Sequence, residues 1–416
     1  MARHGVVLGK WKGRMLRYNG EVHTLVVAPS GSGKSTSLGI PTALSWRGSL
    51  FVHDPGNELY PLTAGWRHRC GSLVYHLDPT SPDSHCLNPL SSIRIRCPQE
   101  GRDVAIITGI LVNPDGEPAR GPAEAHFRLL TDLVLRGMLL HGLYTGEANT
   151  LVELDTFFYS ESALQALWKE METTCHTAAG PHPMVVRAVR ILERLADREL
   201  SGVLSTVARA LEMTADPLVA QMLTGDDVFL EDMRTHKKPM SLYLTIPFTD
   251  QERLLPLSRL IVRLVLDYNT RRLGPWNHRL LMLIDELQAL KSMPPLVRAL
   301  TYVRKYGLNL ALITPSLHAL GAEGDQYMEN AHLRVIFAPN DPALSEKFSH
   351  MTGNEEVEKQ GTTREQRLLS ATGITYLPPD KGLLLIGNGG YPALITKAPY
   401  YRSYRLRRRS RYASSL

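Results

Sequence analysis

The densest run of chemistry-bearing residues in the chain is Pro29-Ser30-Gly31-Ser32-Gly33-Lys34-Ser35-Thr36. Alternating glycines let successive backbone N–H groups curl around an anion, and a helix starting at the end of such a loop adds the positive end of its dipole. Ser30, Gly31, Ser32 and Gly33 would then wrap a β-phosphate. Lys34 would reach the β- and γ-phosphates, Ser35 would offer its hydroxyl to Mg²⁺, and Thr36 would sit beside it on the first helical turn. Ala28 stands where a loop of this kind usually opens with glycine, but Gly31, Gly33, Lys34 and Ser35, the four residues on which phosphate and metal binding most depend, are all present.

Such a site needs a second carboxylate element, and Leu280-Leu281-Met282-Leu283-Ile284-Asp285-Glu286 supplies one. Five apolar residues followed by two acids read as a buried parallel strand whose C-terminal end opens on a ligand crevice. Asp285 is expected in the Mg²⁺ shell. Glu286 is expected to orient and deprotonate an attacking water, the role that separates a nucleotide hydrolase from a mere binder. ATP and Mg²⁺ are the implied cofactors.

These residues need a sheet to hold them. Thr24 to Ala28 is a β-branched apolar run leading into the loop, and Gly48 to His53, Leu73 to Leu77, Asn309 to Ile313 and Leu333 to Ala338 read as further strands. Helices are expected from Ser292 and from Asp341-Pro342, with N-cap residues and prolines in their first turns. Alternating strands and helices predict a doubly wound α/β sheet. Between Pro98 and Pro217 there is no convincing strand but two long helical patterns. One runs Phe127, Leu130, Val134, Met138, and the other runs from Val185 to Leu211. The expected domains are therefore 1–97 with 218–401 as a discontinuous nucleotide-binding domain, 98–217 as an inserted all-α domain, and 402–416 as a basic tail.

The chain has 416 residues, 43% hydrophobic and 21% charged, which fits a folded multidomain protein and excludes a disulfide miniprotein, a collagen-like repeat or long disorder. The net charge is +6, and Arg402 to Arg411 alone carries six arginines, so the basic signal is local. That tail offers contacts to nucleic acid or anionic headgroups, or is a solvated end. The four cysteines form no CxxC pair, the first twenty residues carry Arg3, Lys10, Lys12, Arg14 and Arg17 without a continuous apolar core, so that a secretory signal is not expected in them, and no window approaches about 18 uninterrupted apolar residues.

With these pieces placed, the chain resembles the coupling proteins of type IV secretion and conjugation systems, the TraG/TraD-type ATPases. The resemblance rests on Leu25 to Ser35, Gly39-Ile40-Pro41-Thr42, Leu62-Thr63-Ala64-Gly65, Leu87-Asn88-Pro89-Leu90, Leu283-Ile284-Asp285-Glu286 and Ala338-Pro339-Asn340-Asp341, in that order. It implies a RecA-like P-loop domain, an all-helical domain that meets substrates, and a hexameric ring that energises transfer of relaxase–DNA complexes or effector proteins into a secretion channel. It also implies that Arg304 reaches the nucleotide of a neighbouring subunit; read on its own, Arg304-Lys305 is equally a cationic last turn before Gly307. Family members usually start with two membrane-spanning helices, so this chain is expected to be a cytoplasmic form without that pair, recruited to the inner membrane.

Two local departures accompany the resemblance. Asp54-Pro55-Gly56-Asn57-Glu58 replaces an Asp-x-Lys-Gly-Glu pattern and reads as a plain turn. Pro315-Ser316 follows the strand where many relatives carry a glutamine, leaving Thr314 or Ser316 as substitutes. A nucleotide-gated cargo receptor or scaffold with little hydrolysis is therefore the alternative to a motor. A double-stranded DNA translocase of the chromosome-segregation type would carry a winged DNA-reading domain, for which there is no sign.

Overall fold

The computed structural model describes residues 4–359, 362–387 and 390–412. They form two compact units. One holds the chain up to His76, Glu231–Phe248 and the chain from Asn269 onward; the other holds Leu77–Leu230 and Thr249–Tyr268.

The strands run β1 Val6–Trp11, β2 Arg14–Tyr18, β3 Thr24–Val27, β4 Ser49–His53, β5 Leu73–Leu77, β6 Met240–Leu244, β7 Leu280–Ile284, β8 Leu308–Thr314, β9 Leu333–Ile336, β10 Asn354–Lys359, β11 Thr362–Arg367, β12 Lys381–Ile386 and β13 Gly390–Thr396. Eleven of them make one sheet in the order β2-β1-β13-β12-β9-β3-β8-β7-β4-β6-β5, and β10 and β11 form a separate hairpin. From β9 to β6 the pairing is parallel. Every residue of β4, β6, β7 and β8 is buried, which is why these strands read as unbroken apolar runs. Register aligns Val27 with Thr314 and Ile336, Ile284 with Leu312, and His53 with Ile284. The carboxyl ends of β3, β8, β7 and β4 consequently open at one edge, where the phosphate loop, the two acids and Asp54 leave the sheet.

The antiparallel half of the sheet was not foreseen from the sequence. β1 and β2 form a hairpin whose turn residues Lys12 and Gly13 both have positive φ (48° and 75°), the conformation of a tight two-residue turn. β12 and β13 form another, and β13 pairs with β1, so strands from the two ends of the chain lie side by side. The basic tail is also more ordered than a solvated end. Residues Tyr404–Arg409 are helical, Leu406 is buried, Arg409 Nη1 donates to the Leu44 carbonyl at 2.8 Å, and its guanidinium lies 4.5 Å from the centre of the Trp66 ring. Burying a leucine contributes roughly 1.5–3 kcal/mol toward the conformational entropy that ordering this short helix costs. The last expected tail residues, 413–416, lie outside the described residues.

The second unit is helical, and among its described residues only β5's last residue belongs to a named strand. The helix Pro122–Thr145 carries the first pattern, with Val134, Leu135, Met138 and Leu139 in the core. The second pattern is two helices, Pro183–Arg194 and Asp197–Leu211, parted by Leu195 and Ala196 in extended conformation. Periodicity continues in phase across that break, so spacing alone reads it as one helix; Asp197 and Glu199 favour a new N-terminus there. At Gly137 a side chain would place Cβ 2.2 Å from that of Ala188, so glycine sets the closeness of Pro122–Thr145 and Pro183–Arg194. This unit is wider than the expected 98–217. Leu87 N donates to the Met222 carbonyl (2.8 Å), Cys86 N to Asp227 (2.8 Å), and Arg102 pairs with Asp267 of helix Leu255–Tyr268 (2.8 Å), tying flanking segments into it. No helix among the described residues is long and apolar enough to cross a membrane.

Candidate functional site

β3 is fully buried, and its hydrogen-bonded continuation, Ala28 N to the Thr314 carbonyl (2.9 Å), carries the chain to the sheet edge before the loop turns. Gly31 (φ 74°) and Gly33 (φ 82°) occupy the left-handed region, the alternation that turns neighbouring N–H groups toward one side. Loop carbonyls are spoken for. Pro29 O accepts from Ser32 N (3.1 Å) and Ser32 Oγ (2.5 Å), and Gly33 O accepts from Ser37 N (2.9 Å) and Thr36 Oγ1 (3.2 Å). Helical turns begin at Ser35. Ser30 is exposed at the loop tip, and Thr36 uses its hydroxyl on the loop itself.

The structure brings Lys34, Ser35, Asp285 and Glu286 together. Lys34 Nζ is ion-paired with Glu286, and Ser35 Oγ donates to Asp285 Oδ2 at 3.1 Å. Asp285 is anchored by its own N–H on the His53 carbonyl (3.1 Å), and its other oxygen, Oδ1, is buried without a hydrogen-bond partner. Burial, followed by the neighbouring Asp54, pushes the Asp285 carboxyl up to about 7, against the pull of Lys34 and Ser35. A buried carboxylate with a free oxygen, a hydroxyl beside it and a second acid nearby make a hard oxygen donor set short of positive charge. The residues therefore fit a magnesium ion, which Ser35 and Asp285 would hold.

Three residues of the site escaped sequence reading. Asp54, taken for part of a turn, is fully buried and accepts from the N–H groups of Glu58 (3.0 Å), Leu59 (2.9 Å) and Tyr60 (2.9 Å), capping the helix Tyr60–Arg69. Burial raises its carboxyl despite those three donors. Its importance comes from β4 lying beside β7, which no local pattern announces. Gln288 Nε2 donates to Glu286, so an amide does sit in the site, two residues past the acid rather than at the end of β8. Lys397, just past β13, donates to the Ser32 carbonyl at 2.8 Å.

Other expectations lie elsewhere. Thr314 is buried and its hydroxyl donates to the Ser316 carbonyl (2.8 Å), while Ser316 Oγ accepts from His318 N (3.2 Å), so both hydroxyls serve the local turn. Ser292 is not an N-cap but donates to Glu323 (2.8 Å), and the helix starts at Pro294. Arg304 is exposed in the turn Val303–Tyr306 ahead of β8, at the end of the parallel strands opposite the phosphate loop. Seven strand residues, about 20 Å, separate the two edges, so Arg304 does not join the site of its own chain. Its charge, after burial, helps hold His23 near 4. Arg334 spends its guanidinium on the Met328 (2.8 Å) and Glu329 (3.4 Å) carbonyls.

Comparison with known proteins adds a family. The family model for type IV secretory system conjugative DNA transfer matches residues 2–410. A conjugal transfer protein TraG of Escherichia coli is 31% identical over 95% of this chain and 71% of its own length, and a VirD4 protein of Rhizobium rhizogenes is 26% identical over 97% and 63%. Among solved structures, the plasmid coupling protein TrwB in complex with ADP and Mg²⁺ superposes with a TM-score of 0.70 at 18% identity, covering 96% of this chain and 89% of that one. The shared fold is the RecA-like α/β nucleotide-binding domain with a helical domain.

Proposed function

The chain belongs to the type IV secretory system conjugative DNA transfer family, and on that premise we propose that it is an ATPase that recruits relaxase–DNA complexes or effector proteins and energises their passage into the secretion channel. The observation that carries this reading is the convergence of Lys34 with Glu286 and of Ser35 with Asp285 from segments 250 or more positions apart. Backbone N–H groups of the Gly31–Gly33 turn cradle the phosphates, and Lys34 transfers its ammonium from Glu286 to the terminal phosphates. Glu286, released from the lysine and held by Gln288, takes the proton of the attacking water. Mg²⁺ supplies neutralisation of developing phosphate charge when bound by Ser35 and Asp285.

Arg304 serves the neighbouring subunit of a hexameric ring in this reading, since it is exposed and lies away from its own loop. The helical unit is the cargo-recruiting part, DNA is a possible ligand of the ring, and the assembly works at the cytoplasmic face of the inner membrane. A scaffold in which ATP gates recruitment without turnover is the second reading, favoured by the engaged hydroxyls of Thr314 and Ser316 at the end of β8. Steady-state ATP hydrolysis across protein concentration, with and without single-stranded DNA and with Lys34→Ala as blank, separates them. Turnover rising with concentration or DNA supports the motor; nucleotide binding without turnover supports the scaffold.

A further inference from the structure

The phosphate loop rests on a residue from the far end of the chain. β13 ends at Thr396, whose strand is pinned between β12 and β1, and Lys397 N continues the antiparallel pattern by donating to the Asp380 carbonyl at 2.7 Å. The next residue, Ala398, is fully buried, so the Lys397 backbone has little freedom. Its side chain crosses Phe337, which follows β9 and is fixed by its own N–H on the Val27 carbonyl (3.0 Å) at the end of the phosphate-loop strand. The ammonium lies 4.0 Å from the Phe337 ring centre and donates to the Ser32 carbonyl at 2.8 Å. Both contacts are of kinds that strengthen away from water.

One peptide unit joins Ser32 to Gly33, and in a trans peptide the carbonyl and the following N–H point in opposite directions. Holding the Ser32 carbonyl therefore aims the Gly33 N–H the other way. Among the described hydrogen bonds the N–H groups of Gly31, Gly33 and Lys34 have no protein acceptor, as expected of groups kept for phosphate. A glycine-flanked peptide is otherwise free to flip, and a flip would present a carbonyl to the phosphates where a donor is needed.

We propose that Lys397 is a positioning residue for nucleotide binding: it locks the Ser32–Gly33 peptide so that the Gly33 N–H faces the phosphate. The inference rests on the nucleotide-binding reading of the loop and adds a residue that no pattern around the loop contains. Lys397 is half-buried, and burial lowers its ammonium below the usual lysine range, so the lock is lost at a less alkaline pH than an ordinary lysine would require.

The test is nucleotide affinity of the purified full chain, read with a fluorescent ATP analogue plus Mg²⁺, alongside hydrolysis. Lys397→Met keeps side-chain length and removes the charge; the expected result is about a tenfold weaker dissociation constant and KM, corresponding to one charge-assisted hydrogen bond, with kcat at saturation within about twofold. Lys397→Arg restores most of the affinity and moves the alkaline fall-off of binding to higher pH. A merely structural lysine would give neither the KM-only effect nor that shift. Affinity within twofold of wild type for Lys397→Met, with an unchanged pH profile, overturns the proposal. Should Lys397→Met not fold, the wild-type and Lys397→Arg pH profiles decide by themselves, coincident fall-offs counting against the lock. Absence of binding by wild type, indistinguishable from Lys34→Ala, would instead remove the nucleotide reading itself and the inference with it.

Discussion

Lys34 and Glu286, 252 positions apart in the chain, share an ion pair, and Gln288 holds the same carboxylate from the other side. The lysine that should greet phosphate is thus occupied by the carboxylate that should activate water. Glu286→Gln therefore frees the lysine while removing the base. The variant is expected to bind nucleotide at least as tightly as wild type and to hydrolyse it some 10²–10⁴-fold more slowly, whereas Lys34→Ala loses binding. Analogue titration together with single-turnover hydrolysis reads both, and a Glu286→Gln protein turning over at the wild-type rate would remove Glu286 from the base role.

Magnesium dependence should follow Asp285. Its carboxyl, pushed up to about 7 by burial and Asp54, is protonated in the nucleotide-free protein below that pH, and the metal needs it ionised. Mg²⁺-dependent nucleotide affinity should therefore fall as pH drops through 7. Asp54→Asn keeps a carbonyl oxygen for part of the cap and deletes the neighbouring charge, so it should move the midpoint of that fall to lower pH. A midpoint unmoved by Asp54→Asn would mean the two carboxyls do not communicate.

Arg304 gives an assembly test. If it completes the site of the next subunit, an Arg304→Ala protein and a Glu286→Gln protein, each nearly inactive, should recover activity on mixing, because some interfaces then pair an intact arginine with an intact glutamate. A trans arginine is worth roughly 10³–10⁵ in rate, so partial recovery is easily measured. Absence of rescue at every mixing ratio, with both proteins assembled, counts against the role.

The helical unit carries a pH-sensitive feature in a buried histidine chain. His141 Nδ1 meets His176 Nε2 (2.9 Å), His176 Nδ1 accepts from His182 N (3.1 Å), and His182 Nε2 meets Glu100 (3.0 Å). Because His176 Nδ1 is an acceptor, its proton sits on Nε2 and His141 must accept it, so every proton position is taken. Burial, then His176, lowers His141 to about 4. Unfolded histidine binds its proton near 6.5, so between 6.5 and 4 the unfolded state holds more protons and stability falls with falling pH. Amide exchange in Pro122–Thr145, corrected for intrinsic rates, should accelerate from pH 6.5 to 5, and His141→Gln should flatten that dependence.

The central sheet was readable because its strands are buried on both faces: Leu280 to Ile284 and Asn309 to Ile313 advertise themselves without knowledge of their neighbours. The loop from Ser30 to Ser35 was readable because its chemistry is contained in consecutive residues. Asp54, Gln288 and Lys397 were not. Asp54 matters through β4 lying beside β7, Gln288 through the rotamer that returns it to Glu286, and Lys397 through the pairing of β13 with β1. The hairpin at Trp11-Lys12-Gly13-Arg14 carried a turn signal in Gly13, but the buried run of β1 is short, Val6 to Gly9, and β2 has no fully buried residue. The break at Leu195 hid in a periodicity that never slips.

The sheet order has a consequence for how the protein is made. β3, which carries the phosphate loop, pairs only with β8 and β9, and Thr24 meets Ala311 and Leu333. At translation rates of about 5–20 residues per second, β3 leaves the ribosome roughly 15–60 s before either partner exists. Through that interval the nascent chain exposes an apolar strand with two open edges, a state that invites chaperone binding. A ribosome that stalls before β8 releases a product whose loop has no bed to lie on. On the proposed function, competence for nucleotide thus arrives late in synthesis, so unfinished chains would not compete with finished ones for ATP.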